Sequence, residues 1–449
     1  MSRGLATMAP GCLFEIPSCE AVSQDQPPRV GQRRMRCAVR NQVEFQECSL
    51  DELLPEDHQA RIVWEYVCGL DLSPLVERIQ AVEGGEGRPA TDPRILTALW
   101  LYATLRGVGS ARELDRLCRY HAAYRWICGG VSMNYHTLAD FRTAHTEFLE
   151  KVLTQSVAAL VVEGLVSLDR VAQDGLKVRA SAGAASFRRK PTLQAALAEA
   201  EAQVAALRTE LESDPAAGKT RQQAARERAA EERAERIREA LQQLPLISAA
   251  KKLADRDQAR VSTTDPEARV MKMADGGFRP AFNVQLATAT DSQIITGVEV
   301  TNSGGDQGQM APMVAQHEAD YGEPATEWLV DGGFAKKEDI EQVAQSGTTV
   351  YAPVMKSKDP ERDPHTPRDD DSPAVAAWRQ RMATPEAKAI YKQRASTAEC
   401  ANAHARNRGL YQVRVRGRHK VKAVVLFYVL AHNLQRAATL RAQAAQKAN

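Results

Sequence analysis

From residue 278 to residue 354 the apolar residues change period four times, and that alternation restricts this stretch to an α/β arrangement. Phe282-Asn283-Val284-Gln285-Leu286-Ala287 alternates, as does Ile295 to Val300, with Thr290-Asp291-Ser292 between them, so 278–301 reads as an antiparallel hairpin. Helical spacing follows at about 309–321, then a short buried strand at 326–331, a helix at 336–345 and a strand at 348–354. Upstream, Leu168 to Asp174 reads as another short strand ending at its acid.

Between that strand and the hairpin the composition shifts to Ala, Glu, Arg and Gln over 192–244. Leu197, Ala200, Val204, Leu207 and Leu211 are spaced 3, 4, 3, 4, and Ala230, Ala234, Ile237, Leu241 and Leu244 are spaced 4, 3, 4, 3. Asp214-Pro215 and Gly218 separate the runs, which predicts an antiparallel helical hairpin with a coiled-coil-like seam. It is an insertion, 192–250, in the domain that contains it. Without it, the order is strand with Asp174, two antiparallel strands, helix, strand with Asp331, helix, strand, helix with Glu399. This is the order of an RNase H-like catalytic domain, placed at 160–442, whose first and fourth strands are neighbours.

An all-α N-terminal domain precedes it at 49–150, with helical spacing at Asp57 to Leu70, Asp92 to Arg106, Arg112 to Tyr120 and from Tyr135 onward. Asp92-Pro93 supplies an N-cap and a proline at the first helical position. Such a unit can enter a DNA groove or dimerise. Residues 1–48, with Arg29, Arg33, Arg34, Arg36 and Arg40, read as a flexible basic arm. Near the other end, 356–376 reads as a polar loop. A helix capped by Thr384 runs from Pro385 to near Gly409, a basic β-like segment covers 411–422, and a last helix reaches about 442.

The net charge is only +2, so an argument for a nucleic-acid partner must be local. The eight cysteines form no CxxC pair and read as reduced cytosolic thiols. The longest apolar run, Val421 to Leu430, is too short to span a bilayer, so a cytoplasmic protein without a membrane partner is expected.

Residues 388–422 hold ten Lys or Arg and one acid, Glu399. Two strand-end aspartates, Asp174 and Asp331, and this helical glutamate can converge on Mg²⁺, a hard ion that prefers carboxylate oxygens. On an ideal helix Glu399, Asn402 and Arg406 share one stripe, offering a metal ligand, an amide and a cation to DNA. Tyr391 and Arg394 lie around the helix from that stripe and would reach neighbouring phosphates or bases. Lys177 and Arg179, beside the first acid, would contact phosphates. These residue types support metal-assisted phosphoryl transfer on nucleic acid. Other acids take plainer roles: Asp169 and Asp275 in turns, Asp306 as a helix cap, Asp369 to Asp371 in a solvated loop. His136 and His432 have no partner at metal-ligand spacing, and packing or capping suffices for them.

Tyr391-Lys392-Gln393-Arg394-Ala395-Ser396-Thr397-Ala398-Glu399 resembles the Tyr-Arg-Glu signature of bacterial insertion-sequence DDE transposases with a helical N-terminal domain. Tyr135 to Arg142, Asp265 to Phe278 and Ala431-His432-Asn433-Leu434 extend the resemblance over roughly 40–440. Arg406 stands where these families usually have Lys, and the step from Arg394 to Glu399 is one residue longer than in the commonest form. The resemblance implies that Asp174, Asp331 and Glu399 are catalytic and bind two Mg²⁺ ions, for which Mn²⁺ can substitute. It implies strand cleavage at element ends, transfer of the freed 3′-hydroxyl into target DNA, and a homodimer or larger assembly on double-stranded DNA in the bacterial nucleoid. Two alternatives share these residues: a structure-selective nuclease on the same fold, and a DNA-binding transposase derivative that does no chemistry.

Overall fold

The computed structural model describes residues 49–82, 84, 86, 88–213, 221–356 and 361–448; the basic arm expected at 1–48 lies outside them. The described chain opens with helices α1 (Gln59–Cys68), α2 (Ser73–Val76), α3 (Pro93–Leu105), α4 (Ala111–Tyr120), α5 (Ala122–Cys128), α6 (Tyr135–Ala144) and α7 (Thr146–Val162). Caps set their starts: Asp92 accepts the Arg94 N–H at 2.8 Å, and Asn134 accepts those of His136 and Thr137 at 3.0 Å each. Helix α3 buries nearly every residue, as a helix apolar on all sides must. The Arg142 guanidinium is buried over the Trp100 ring, 4.4 Å from its centroid, and donates to the Gly109 carbonyl at 2.8 Å.

Then come β1 (Arg170–Arg179), β2 (Phe187–Arg188), α8 (Lys190–Ser213), α9 (Arg221–Ala249), β3 (Val261–Ser262), β4 (Arg269–Lys272), β5 (Phe278–Ala289) and β6 (Ile295–Thr301). They are followed by α10 (Met310–Tyr321), β7 (Glu327–Leu329), α11 (Lys337–Gln345), β8 (Thr349–Tyr351), α12 (Pro373–Ala383) and α13 (Pro385–Arg394). A π-helical turn, Ala395–Glu399, leads into α14 (Cys400–Asn407), and α15 (Arg418–Ala448) closes the chain.

The main sheet runs β5-β1-β7-β8, with β4 and β6 both on the outer edge of β5. β1 is antiparallel to β5 and parallel to β7, which is parallel to β8. The α8–α9 hairpin leaves after β1, is tied at its base by the β2–β3 pair, and buries Leu193, Ala200, Ala234, Ile237 and Leu244 along its seam. A single core joins the opening helices (Trp100, Leu101), one part of the sheet (Leu176, Phe282, Val298) and α15 (Phe427). A second core lies under β7 and β8, around Trp328, Phe334 and Trp378.

Four expectations are corrected. β1 does not stop at Asp174 but runs to Arg179, because β5 pairs with it as far as Arg179 opposite Ala281. The expected loop ends early, since Ser372 and Pro373 open α12, whose Trp378 indole donates to the Ala352 carbonyl at 3.0 Å. Within that loop Asp371 is not solvated: its side chain is fully buried between Arg379 Nε at 2.6 Å and Lys337 Nζ at 2.8 Å. The segment 411–422 forms no strand beyond an isolated bridge of Gln412 to Arg179, and Gly417, at φ 83°, turns the chain into α15. No helix among the described residues is long and apolar enough to cross a membrane.

Candidate active site

The register of β1 on β7 builds the site. Ala172 lies opposite Leu329, the last pair of the ladder, so Asp174 and Asp331 each stand two residues beyond it. There β7 ends. Asp331 Oδ1 accepts the Gly333 N–H at 2.7 Å, an Asx turn that takes the chain away. β1 continues along β5 instead, and the parting strands leave a cleft of about 600 Å³ that Lys177, Arg179 and Arg406 also line.

Asp174 is held on three sides. Its Oδ1 accepts the Gly175 N–H at 3.0 Å and lies 3.0 Å from Arg394 Nη2, while its Oδ2 accepts Asn402 Nδ2 at 2.9 Å. The same Arg394 nitrogen is 3.8 Å from Asp331 Oδ2, so one guanidinium bridges both acids. Burial pushes the Asp174 carboxyl above the usual range; Arg394 and the Gly175 N–H oppose this, and the charges of Asp331 and Asp306 add to it. Burial raises the Tyr391 hydroxyl above the ordinary value, against the charge of Arg394 beside it. Arg394 is only 9% exposed. Of the side chains expected to face DNA, Tyr391, Arg394 and Asn402 therefore pack onto the acids, whereas Lys177, Arg179 and Arg406 remain on the open cleft.

The π turn explains the departure from ideal helical phase. Its i→i+5 bonding lets residues five apart overlie as residues four apart do in an α-helix, which absorbs the extra residue between Arg394 and Glu399. Ser396 Oγ and Thr397 Oγ1 both donate to the Gln393 carbonyl, at 3.0 and 2.8 Å, and draw it from the helical ladder. Glu399 ends this turn. It is exposed and takes part in no hydrogen bond or ion pair among the described residues. Among those residues no three His, Cys, Asp or Glu side chains stand together at metal-binding spacing.

Asp306 is not a helix cap: α10 starts at Met310 after Gln309 with no side-chain cap. Its Oδ1 accepts Asn283 Nδ2 at 2.7 Å and Gln285 Nε2 at 2.8 Å. Behind them, Trp328 Nε1 donates to Gln173 Oε1 at 3.0 Å, and Gln173 Nε2 donates to Gln285 Oε1 at 2.9 Å. This buried amide chain brings Asp306 against Gly175. A signal for it was present in the sequence, because Gln173, Asn283 and Gln285 are polar residues in strands covered on both faces, where each needs a partner. The other acids behave as turn residues: Asp169 accepts the Ser167 hydroxyl at 2.7 Å, and Asp275 pairs with Arg279 at 2.7 Å.

Residues 48–144 match a family described as a transposase domain (DUF772), and residues 355–438 match the transposase DDE domain family. The second match runs from before α12 into α15 and so contains Tyr391, Arg394, Glu399, Asn402 and Arg406. Taken in this order along one chain, the two matches identify an insertion-sequence transposase of the DDE class. No curated protein and no solved structure matches the chain.

Proposed function

We propose that the β1–β7 cleft is the phosphoryl-transfer site of this transposase, built on an RNase H-like fold, and that Asp174, Asp331 and Glu399 are its acids. The in-register placement of Asp174 and Asp331, two residues past the end of the parallel ladder, carries this conclusion. The strand order supports it, with β1 flanked by an antiparallel and a parallel neighbour. The donor set suits a divalent cation: hard carboxylate oxygens that already share one cationic nitrogen, within 3.0 and 3.8 Å. Asp174 and Asp331, with Glu399 from the π turn, would hold two Mg²⁺ or Mn²⁺ ions, which supply charge stabilisation to the attacking and leaving oxygens of an in-line displacement.

The chain's own groups do the rest. Asn402 and the Gly175 N–H fix the two Asp174 oxygens, and the Gly333 N–H fixes Asp331. Arg394 screens the two acids from each other. Lys177, Arg179 and Arg406 hold DNA phosphates along the cleft. Water attacks the phosphorus at an element end, and the strand's 3′-oxygen leaves as a hydroxyl. That hydroxyl then attacks a target phosphorus, and the target's own 3′-oxygen leaves. Residues 49–150 and the hairpin 192–250 serve DNA binding and assembly of the paired ends.

The test is cleavage of duplex DNA carrying the sequences that flank the reading frame, with Mg²⁺, comparing the wild type with Asp331→Ala. Metal-dependent nicking lost in the variant is the expected result. Binding without cutting in both proteins, or equal cutting in both, would overturn the proposal.

A further inference from the structure

Among the described residues, Gln293 in the β5–β6 turn is the only non-glycine with a left-handed backbone, at φ 59°. A long side chain in that region is strained and persists only where its surroundings over-determine it. Helix α15 does this. His432 Nε2 lies 2.9 Å from the Gln293 carbonyl, and Arg436 Nε donates to the Ser292 carbonyl at 2.6 Å. Asn433 accepts the Ile295 N–H at 2.9 Å and donates to the Ile295 carbonyl at 2.7 Å. The Gln293 N–H is itself bound to the Ala289 carbonyl at 2.9 Å. Every backbone group of the turn named here is thus pinned, and the pinned conformation sends one group outward: Gln293 Nε2 donates to the Ser396 carbonyl at 3.1 Å.

Ser396 lies inside the π turn, between Arg394 and Glu399. That turn departs from the α-helical ladder, so an outside donor to one of its carbonyls acts directly on its geometry. A turn that only needed to reverse the chain would favour Gly at φ 59°. We propose that Gln293 is a positioning residue: anchored by His432, Asn433 and Arg436, it braces the π turn that sets Arg394, Glu399 and Asn402 in register with one another. The Ala431-His432-Asn433-Leu434 motif, far from Glu399 in sequence, thereby gains a role at the site. This inference rests on the acid set proposed above.

The test uses Gln293→Gly and Gln293→Asn in the full chain. Both residues suit the left-handed backbone better than Gln, and Asn is too short to reach Ser396. Expected are an unchanged or raised Tm, faster hydrogen exchange of the amides at 395–400, and a kcat for Mg²⁺-dependent cleavage of the flanking-DNA duplex lower by about five- to tenfold with KM unchanged. Wild-type exchange and wild-type kcat in both variants would overturn the brace. So would a fall in Tm accompanied by a matching rise in KM, which would make Gln293 a residue of the fold. Glu399→Gln and Asp331→Ala are assayed beside them. If these cut normally, or if the wild type does not cut, the acid set has failed, and exchange at 395–400 still judges the brace. If they are dead while both Gln293 variants behave as wild type, only the brace has failed.

Discussion

Gly175→Ala tests whether Asp306 is held where the side-chain amides place it. A Cβ on residue 175 would stand 2.3 Å from Asp306 Oδ1 and 2.9 Å from both Asn283 Oδ1 and Gln285 Nε2. The backbone is not the obstacle, because Gly175 is not among the glycines with positive φ, and Ala in a strand is otherwise preferred by roughly 0.5–1 kcal/mol. To reach ordinary contact distance the Asp306 oxygen must retreat by about 1 Å. Its bonds to Asn283 and Gln285, now 2.7 and 2.8 Å, would then exceed hydrogen-bond range. Bonds to a charged acceptor contribute roughly 1.5–3 kcal/mol each, so after the alanine gain the net loss is about 2–5 kcal/mol. Urea unfolding of Gly175→Ala, Asp306→Ala and the double variant completes a cycle. With Asp306 shortened the new methyl has room, so the double variant should be no less stable than Asp306→Ala alone, a coupling of about 2–5 kcal/mol. Single-variant losses that simply add, within roughly 0.5 kcal/mol, would refute the packing argument.

Two further outcomes follow from the same structure. Burial pushes the Asp371 carboxyl up, but Lys337, the Arg368 N–H and Arg379 outweigh it and hold its pKa at about 2, below the ordinary 3.8. Its contribution to stability is therefore complete above about pH 4 and fades as pH falls toward 2, so Asp371→Asn should lower Tm at pH 7 by a gap that closes over that interval; a gap constant with pH would contradict the pairing. Arg406→Ala should weaken DNA binding and reduce the slope of log Kd against log salt by about 1, whereas Arg394→Ala should leave the slope unchanged because its charge is already engaged by the acids; equal slopes for the two variants would contradict that division of roles.

Where apolar period alone decides structure, the sequence was readable. The 3, 4 spacing of Leu197 to Leu211 and of Ala230 to Leu244 lies on α8 and α9, the alternation at 282–287 and 295–300 lies on β5 and β6, and Thr384-Pro385 opens α13. Reading failed where side chains, not period, hold the chain. Gly175 reads as the end of a strand, yet it lies inside β1 and leaves room for Asp306. Asp369-Asp370-Asp371 among prolines reads as a solvated loop, yet Asp371 is buried by Lys337 and Arg379, which approach from two different helices. The neighbouring of Asp174 and Asp331 could be anticipated from strand order. The contact of Arg394 and Asn402 with one carboxylate could not, because helical phase counted at 3.6 residues per turn does not foresee a π turn.

The core shared by the opening helices, the sheet and α15 also bears on when the enzyme comes into being. Trp100 and Phe282 find Phe427 only after residues 418–448 have left the ribosome, although the chain that precedes them carries Asp174, Asp331 and Glu399. The anchor for the β5–β6 turn arrives in that same last segment, through His432 and Asn433. Synthesis therefore delivers the three proposed acids before the segment that packs against the rest of the fold. A polypeptide terminated before α15 would contain the three proposed acids without the core residues and the turn anchor that α15 supplies, so it is expected to be inert.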